Sequence, residues 1–118
     1  MTKPTKSSLT YLKFLNLLQS VRALPDFPVM DAVEERMINL FAASWHRKQQ
    51  LTVLQAMDME HGISASTAHR RLKALRKKGL IALEVDPIDN RVKYVVPTDL
   101  VIKYFGHLGQ CLTKAVGR

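Results

Sequence analysis

The sequence predicts a mainly α-helical chain carrying one small β-hairpin, an α+β class, and three observations predict it. Apolar residues recur at helical spacing toward both ends, as Leu9, Phe14, Leu17, Leu18 and Val21, and again as Val101, Tyr104, Phe105, Leu108, Cys111, Leu112 and Ala115. The period changes from helix to strand after Gly79, where residues 80–85 and 91–96 are rich in β-formers. Asp86-Pro87-Ile88-Asp89-Asn90, a turn-forming loop, separates the two runs. The third observation is the stretch 64–79, which holds Arg70, Arg71, Lys73, Arg76, Lys77 and Lys78 and no acidic residue.

In chain order, residues 1–6 read as a frayed basic tail. A first helix covers 7–24, opening at Ser7 or Ser8. It ends at Leu24-Pro25-Asp26-Phe27-Pro28, because two prolines in four residues cannot continue a helix. Within 29–48, Asp31 caps a second helix with Glu34 and Glu35 in its first turn, where the helix dipole favours negative charge. Val33, Met37, Leu40, Phe41 and Ser44 line its inner face, and His46-Arg47-Lys48 place cations at its negative end. Gln49 to Leu51 suit a short strand. Thr52 then caps a brief helix over 53–59 with Val53, Ala56 and Met57 inward, and His61-Gly62-Ile63 form a turn.

The stretch 64–79 reads as one helix capped by Ser64 and ended by Gly79, with Ala68, Leu72 and Leu75 at i, i+4 and i+7 as its inner face. A rotation of about 100° per residue places Ser66, Arg70, Lys73 and Lys77 on the opposite side. Residues 52–79 thus form a helix-turn-helix, and 80–97 form a hairpin behind it. Pro97 stops the second strand, and Thr98 with Asp99 opens a last helix over 98–117. This order is that of a winged helix-turn-helix, and 118 residues fit a single domain over 1–118.

Composition narrows the function classes. The net charge of +8 points to a polyanionic partner, and residues 64–79 alone carry +6 of it. A single cysteine excludes an internal disulfide framework and fits a reducing compartment. No apolar run approaches the roughly 20 residues of a membrane span, so no membrane partner is expected and a cytoplasmic, nucleoid-associated location is the default. There is no glycine-rich phosphate loop, nucleophile elbow or pair of carboxylates in an evident pocket, so no catalytic residue is assigned and no enzyme is expected. His46, His61, His69 and His107 form no ligand spacing with Cys111, so no metal and no cofactor are assigned.

The order of elements and the hairpin together resemble the multiple-antibiotic-resistance-regulator (MarR) type of winged-helix transcription factor. The most specific residues are Asp86-Pro87-Ile88-Asp89-Asn90-Arg91, similar to that family's Asp-x-x-Asp-x-Arg wing, followed by a strand and a Thr that opens the final helix. Ser64-Ala65-Ser66-Thr67, then a basic helix ending Lys77-Lys78-Gly79-Leu80-Ile81, is also similar. The resemblance covers residues 51–99, and the outer helices match only by position and pattern. It implies a homodimer with interlocking N- and C-terminal helices, two winged domains meeting adjacent major grooves, and Arg91 reaching the minor groove. Asp86 and Asp89 would then hold Arg91 and its loop in place. The chain departs from the family in having one C-terminal helix pattern where two are common, and in the run Val95-Val96-Pro97-Thr98.

The expected partner is double-stranded DNA, and the expected role is a dimeric, sequence-specific transcription regulator acting as a repressor. A major groove is about 12 Å wide and admits such a helix, whose cations displace counterions from phosphates. Ser64, Ser66, Thr67, Arg70 and Arg71 are placed for base or phosphate contact; Lys73 and Lys77 look more like phosphate contacts, with Arg76 and Lys78 adding affinity. Arg91 and Lys93 are the wing candidates. The alternatives are a winged-helix protein-interaction adaptor and an accessory factor for replication or plasmid maintenance. Surplus apolar surface along 9–21 and 101–116 suggests self-association, with Leu9, Phe14, Leu17, Val21, Val101, Tyr104, Phe105, Leu108 and Leu112 as the dimer interface. Trp45, Tyr11, Phe14, Tyr104 and Phe105 read first as core packing and second as the lining of a cavity for a small-molecule effector.

Overall fold

The computed structural model describes residues 2–59 and 62–117. Their order is α1 (Lys6–Arg22), α2 (Ala32–His46), α3 (Val53–Asp58), α4 (Ala65–Lys77), β1 (Ile81–Val85), β2 (Lys93–Pro97) and α5 (Asp99–Val116). The chain is mainly helical with one two-stranded antiparallel hairpin, as its periodicities predict. Backbone contacts gather it into two compact units, Met30–Val101 and the paired end segments Met1–Val29 with Ile102–Arg118. No helix among the described residues is long and apolar enough to cross a membrane.

In the Met30–Val101 unit, α2 opens with a reciprocal capping box. The Asp31 carboxylate accepts the Glu34 N–H at 2.8 Å, and the Glu34 carboxylate accepts the Asp31 N–H at 2.9 Å. Thr52 and Gln55 form the same device at the start of α3. Met37, Ile38 and Phe41 from α2 meet Ala56 from α3, Ala68, Leu72 and Leu75 from α4, and Leu80, Ile81 and Val95 in one buried core. The hairpin register pairs Leu83 with Val95 and Val85 with Lys93. Its inner strand is tied to the helices by polar bonds: the Trp45 indole donates to the Val95 carbonyl at 3.0 Å, and the Val95 N–H donates to the Leu51 carbonyl at 2.7 Å.

α4 ends as the glycine predicts. Gly79 sits at φ +79°, its N–H reaches the Arg76 carbonyl, and the Leu80 N–H reaches the Leu75 carbonyl. Those two bonds satisfy carbonyls that the helix end would leave open, in a backbone region where a Cβ is unfavourable. The Thr98 hydroxyl donates to the Gly79 carbonyl at 2.6 Å and accepts the Val101 N–H, so the end of α4 is fastened to the start of α5.

The structure corrects several local expectations. α1 starts earlier than Ser7, because the Thr5 hydroxyl takes the cap by accepting the Ser8 N–H. It stops at Arg22 rather than 24, since residues just before Pro25 are pushed out of the helical region. Gln49 to Leu51 form no strand. Lys48 turns the chain through φ +58°, and pairing is confined to the Thr52–Tyr94 bridge and the Leu51 carbonyl. In α3 only Ala56 is fully buried, and Val53 and Met57 are half-buried. His61, in the expected turn, lies outside the described residues, whereas Gly62 has the positive φ (+90°) expected of it.

In the unit of the two end segments, Phe27 packs edge-on against Tyr104 and His107, with ring centroids 5.5 and 5.4 Å apart. Val21, Tyr104, Cys111 and Ala115 are buried there, and Val101 is buried in the other unit. Val21, Tyr104 and Val101 therefore belong to the chain's own core and present no free surface for a second copy. Leu9 and Leu112, at 54% and 53% exposure, remain available, together with Tyr11, Leu12, Ile102 and Val116. Phe14, Leu17, Phe105 and Leu108 are half-buried.

Candidate nucleic-acid interface

The chemistry of the central unit is concentrated on α4. Its first turn is organised by Ser64, whose hydroxyl accepts the Thr67 N–H at 3.1 Å and donates to the Thr67 hydroxyl at 2.9 Å. The Arg70 guanidinium in turn donates to the Thr67 hydroxyl at 3.3 Å. This local chain starts from a cap and ends on a cation, so the capping residue also directs Arg70. Ser64 serves the helix itself first, which is why its hydroxyl is engaged. Ser66, Arg70, Lys73 and Lys77 are all exposed on the side away from Ala68, Leu72 and Leu75, and Arg76 is exposed beside them. Lys73, Arg76 and Lys77 make no salt bridge among the described residues.

Two cations of the same helix face elsewhere. Arg71, expected among the contact residues, is half-buried and pairs with Asp31 at 3.0 Å, and its Nε is buried without a hydrogen-bond partner. Lys78, expected to add affinity, donates to both carboxylate oxygens of the buried Glu34 at 2.8 Å. Of the six positive charges on 64–79, four therefore meet no carboxylate among the described residues.

The hairpin loop is built around two aspartates. One Asp86 oxygen accepts the Ile88 and Asp89 N–H groups at 2.8 and 3.0 Å, and the other accepts the Tyr94 hydroxyl at 2.5 Å. The Tyr94 hydroxyl, then the two backbone donors, hold the Asp86 carboxyl below its ordinary range, and the same bond to Asp86 raises the Tyr94 phenol. Asp89 accepts the Arg91 N–H and is gripped by its guanidinium at 3.0 and 3.2 Å, which lowers its carboxyl likewise. Arg91 is nonetheless 87% exposed, so its free edge faces outward from a braced loop. Tyr94 is a brace that sequence reasoning missed; its signal was a polar aromatic on β2 across from the Asp86 turn. Lys93 is exposed one residue earlier.

Between α3, α4 and the hairpin lies a groove of about 600 Å³. Leu72, Ile81 and Leu83 line its floor, and Lys73, Arg76, Arg91 and Lys93 stand among its lining residues. His69 also lines it. The groove joins the helix cations and the hairpin cations into one positive face. Among the described residues, no three His, Cys, Asp or Glu side chains gather as a metal-ligand group.

Solved structures with the same arrangement share this order of helices and hairpin. The chain has the MarR-like winged-helix fold. A mutant MepR from a multidrug-resistant S. aureus clinical isolate superposes with a TM-score of 0.62 at 18% identity, covering 92% of this chain and 70% of that one. A MarR-like transcriptional regulator from Thermotoga maritima gives 0.59 at 20% identity, covering 98% and 82%. The heme sensor protein PefR from Streptococcus agalactiae, in complex with heme, gives 0.58 at 23% identity and covers 88% of this chain. This chain spans 65% of the length of that PefR. No protein-family model and no curated protein matches the chain. In the terms of the winged-helix fold, α3 and α4 are the helix-turn-helix, and β1 and β2 the wing.

Proposed function

We propose that the chain is a sequence-specific, double-stranded DNA-binding transcription regulator acting as a homodimeric repressor. One observation carries the reading: the solvent face of α4 presents Ser66, Arg70, Lys73 and Lys77, with no acidic residue on that helix and a cationic groove and wing beside it. α4 would enter the major groove, where Arg70 can grip guanine O6 and N7 as a fork while Lys73 and Lys77 meet phosphates. Arg91 and Lys93 would lie at the flanking minor groove, whose narrow A·T-rich stretches attract cations. The MarR-like fold supports this reading, because the similar solved structures include transcriptional regulators. Exposed Leu9, Tyr11, Leu12, Ile102 and Leu112 on α1 and α5 support a second copy as partner. Two α4 helices would then address half-sites about 34 Å apart on a pseudopalindrome.

Selection of bound duplexes from a random pool, followed by a salt titration on the selected sequence, tests the whole reading. The expected outcome is a two-fold-symmetric motif and an affinity that falls steeply with salt as counterions are released. A pool that stays random, or binding indifferent to salt, would favour a protein-interaction adaptor instead.

A further inference from the structure

The two cations of the basic run that meet carboxylates form a pattern of their own. Arg71 and Lys78 lie on one flank, seven residues apart, which is two turns or about 10 Å along the axis. Both are held by the first turn of α2, Arg71 by Asp31 at 3.0 Å and Lys78 by both Glu34 oxygens at 2.8 Å. Asp31 and Glu34 are themselves locked to each other through the capping box. The result is one continuous network from the α2 N-terminus to two points on α4. Glu34 is 2% exposed, so its end of the network is buried and tightly placed.

Apolar contacts through Ala68, Leu72 and Leu75 hold α4 to the core without dictating a direction, because burial of greasy surface is not directional. Charged hydrogen bonds are directional. A single such anchor would leave α4 a pivot, whereas two anchors two turns apart define both its height and its tilt. Among the described residues the opposite flank supplies no equivalent, since His69, Lys73 and Arg76 there open onto the groove. We propose that Asp31 and Glu34 are positioning residues for DNA recognition, holding α4 through Arg71 and Lys78 at the tilt from which Arg70 reads a base. The inference rests on the DNA-reading function proposed above. Base-edge contacts tolerate only about 0.5 Å and 10–20° of error, whereas a flexible lysine finds a phosphate over a wider range. Loosening the anchors should therefore erode specificity before it erodes general affinity.

The experiment uses the full chain as wild type, as the Glu34→Gln/Lys78→Gln double variant, and as Asp31→Asn. Affinity is measured at one salt concentration for a duplex selected from a random pool and for a shuffled duplex of equal length and composition. The double variant leaves net charge unchanged and leaves no carboxylate buried at position 34 without Lys78, and Asp31→Asn retains a capping oxygen. Circular dichroism confirms the helix content of each. The expected ratio of selected to shuffled affinity falls about tenfold in the double variant and about threefold in Asp31→Asn, while shuffled affinity stays within about twofold. An unchanged ratio, or equal losses on both duplexes, overturns the positioning role. If the double variant loses its helices, Asp31→Asn decides by the same ratio. A wild-type chain that does not distinguish the duplexes overturns the DNA-reading function itself, and that result appears before any substitution.

Discussion

The two sides of α4 carry the same kinds of side chain in opposite circumstances. On the solvent side Arg70, Lys73 and Lys77 are exposed and oppose no carboxylate among the described residues; on the α2 side Arg71 and Lys78 are neutralised by Asp31 and Glu34. A basic run is therefore two populations: charges available to a polyanion, and charges used to set the position of the helix that carries the first. A carboxylate partner separates them, and at Lys78 that partner is buried. Glu34 has almost no access to water, so its ion pair is part of the fold, whereas the wing pair Arg91–Asp89 sits at the surface and is weak.

The largest effect should come from splitting the buried pair. Glu34→Ala removes both carboxylate oxygens from Lys78 and one arm of the α2 capping box, and should destabilise the protein by about 3 kcal/mol in urea denaturation. A loss below about 1 kcal/mol would mean that Lys78 simply turns out to water.

The next effect sharpens the contrast on DNA. Arg70→Ala should weaken binding to the selected duplex by about 1–3 kcal/mol and relax preference at one base pair. Lys77→Ala should instead weaken all duplexes alike and lower the salt slope by about one. Arg71→Ala, already paired with Asp31, should leave the salt slope unchanged. A slope falling equally for Lys77 and Arg71 would erase the distinction between the two sides.

The smallest effect concerns the wing. Asp86 and Asp89 have carboxyls lowered from the ordinary 3.8 by Tyr94 and Arg91 respectively. Their contribution is thus fully present above about pH 5 and is lost as pH falls through 3.8 and below it. The Tyr94 phenol is raised above 10.0, so its bond to Asp86 holds below that pH and is lost as pH climbs through the raised value. Amide exchange at Ile88 and Asp89, followed by NMR, should quicken in acid earlier than exchange at Leu75 in the core. Tyr94→Phe should shift that onset to higher pH; an unmoved onset would show that the turn amides alone hold Asp86.

Much of this architecture is legible locally. Ser64, Thr52 and Asp31 announce caps because a short oxygen-bearing side chain suits the open N–H groups three residues on. Gly79 announces an end because it tolerates positive φ, and the period change after it announces the hairpin. The exposed cations of α4 are legible too, since Ala68, Leu72 and Leu75 define the opposite face. Misreadings occur where distant parts of the chain decide. Val21, Val101 and Tyr104 lie on the same kind of apolar stripe as Leu9 and Leu112, yet the first three are buried and the last two exposed. A stripe records that a face is apolar, but not what covers it.

The sequence by itself therefore determined the helices, the caps of α2, α3 and α4, the hairpin and the outward row Ser66, Arg70, Lys73 and Lys77. Those depend on interactions within about four residues, which a linear pattern records. Only the tertiary structure decided that Arg71 and Lys78 meet carboxylates, because Glu34 lies 44 residues from Lys78 and nothing local distinguishes a paired lysine from a free one. The same holds for the Trp45 bond to the Val95 carbonyl, 50 residues away, which ties the wing to α2. Charge is written in the sequence, but whether it meets a carboxylate or solvent depends on where the fold brings the chain back to itself.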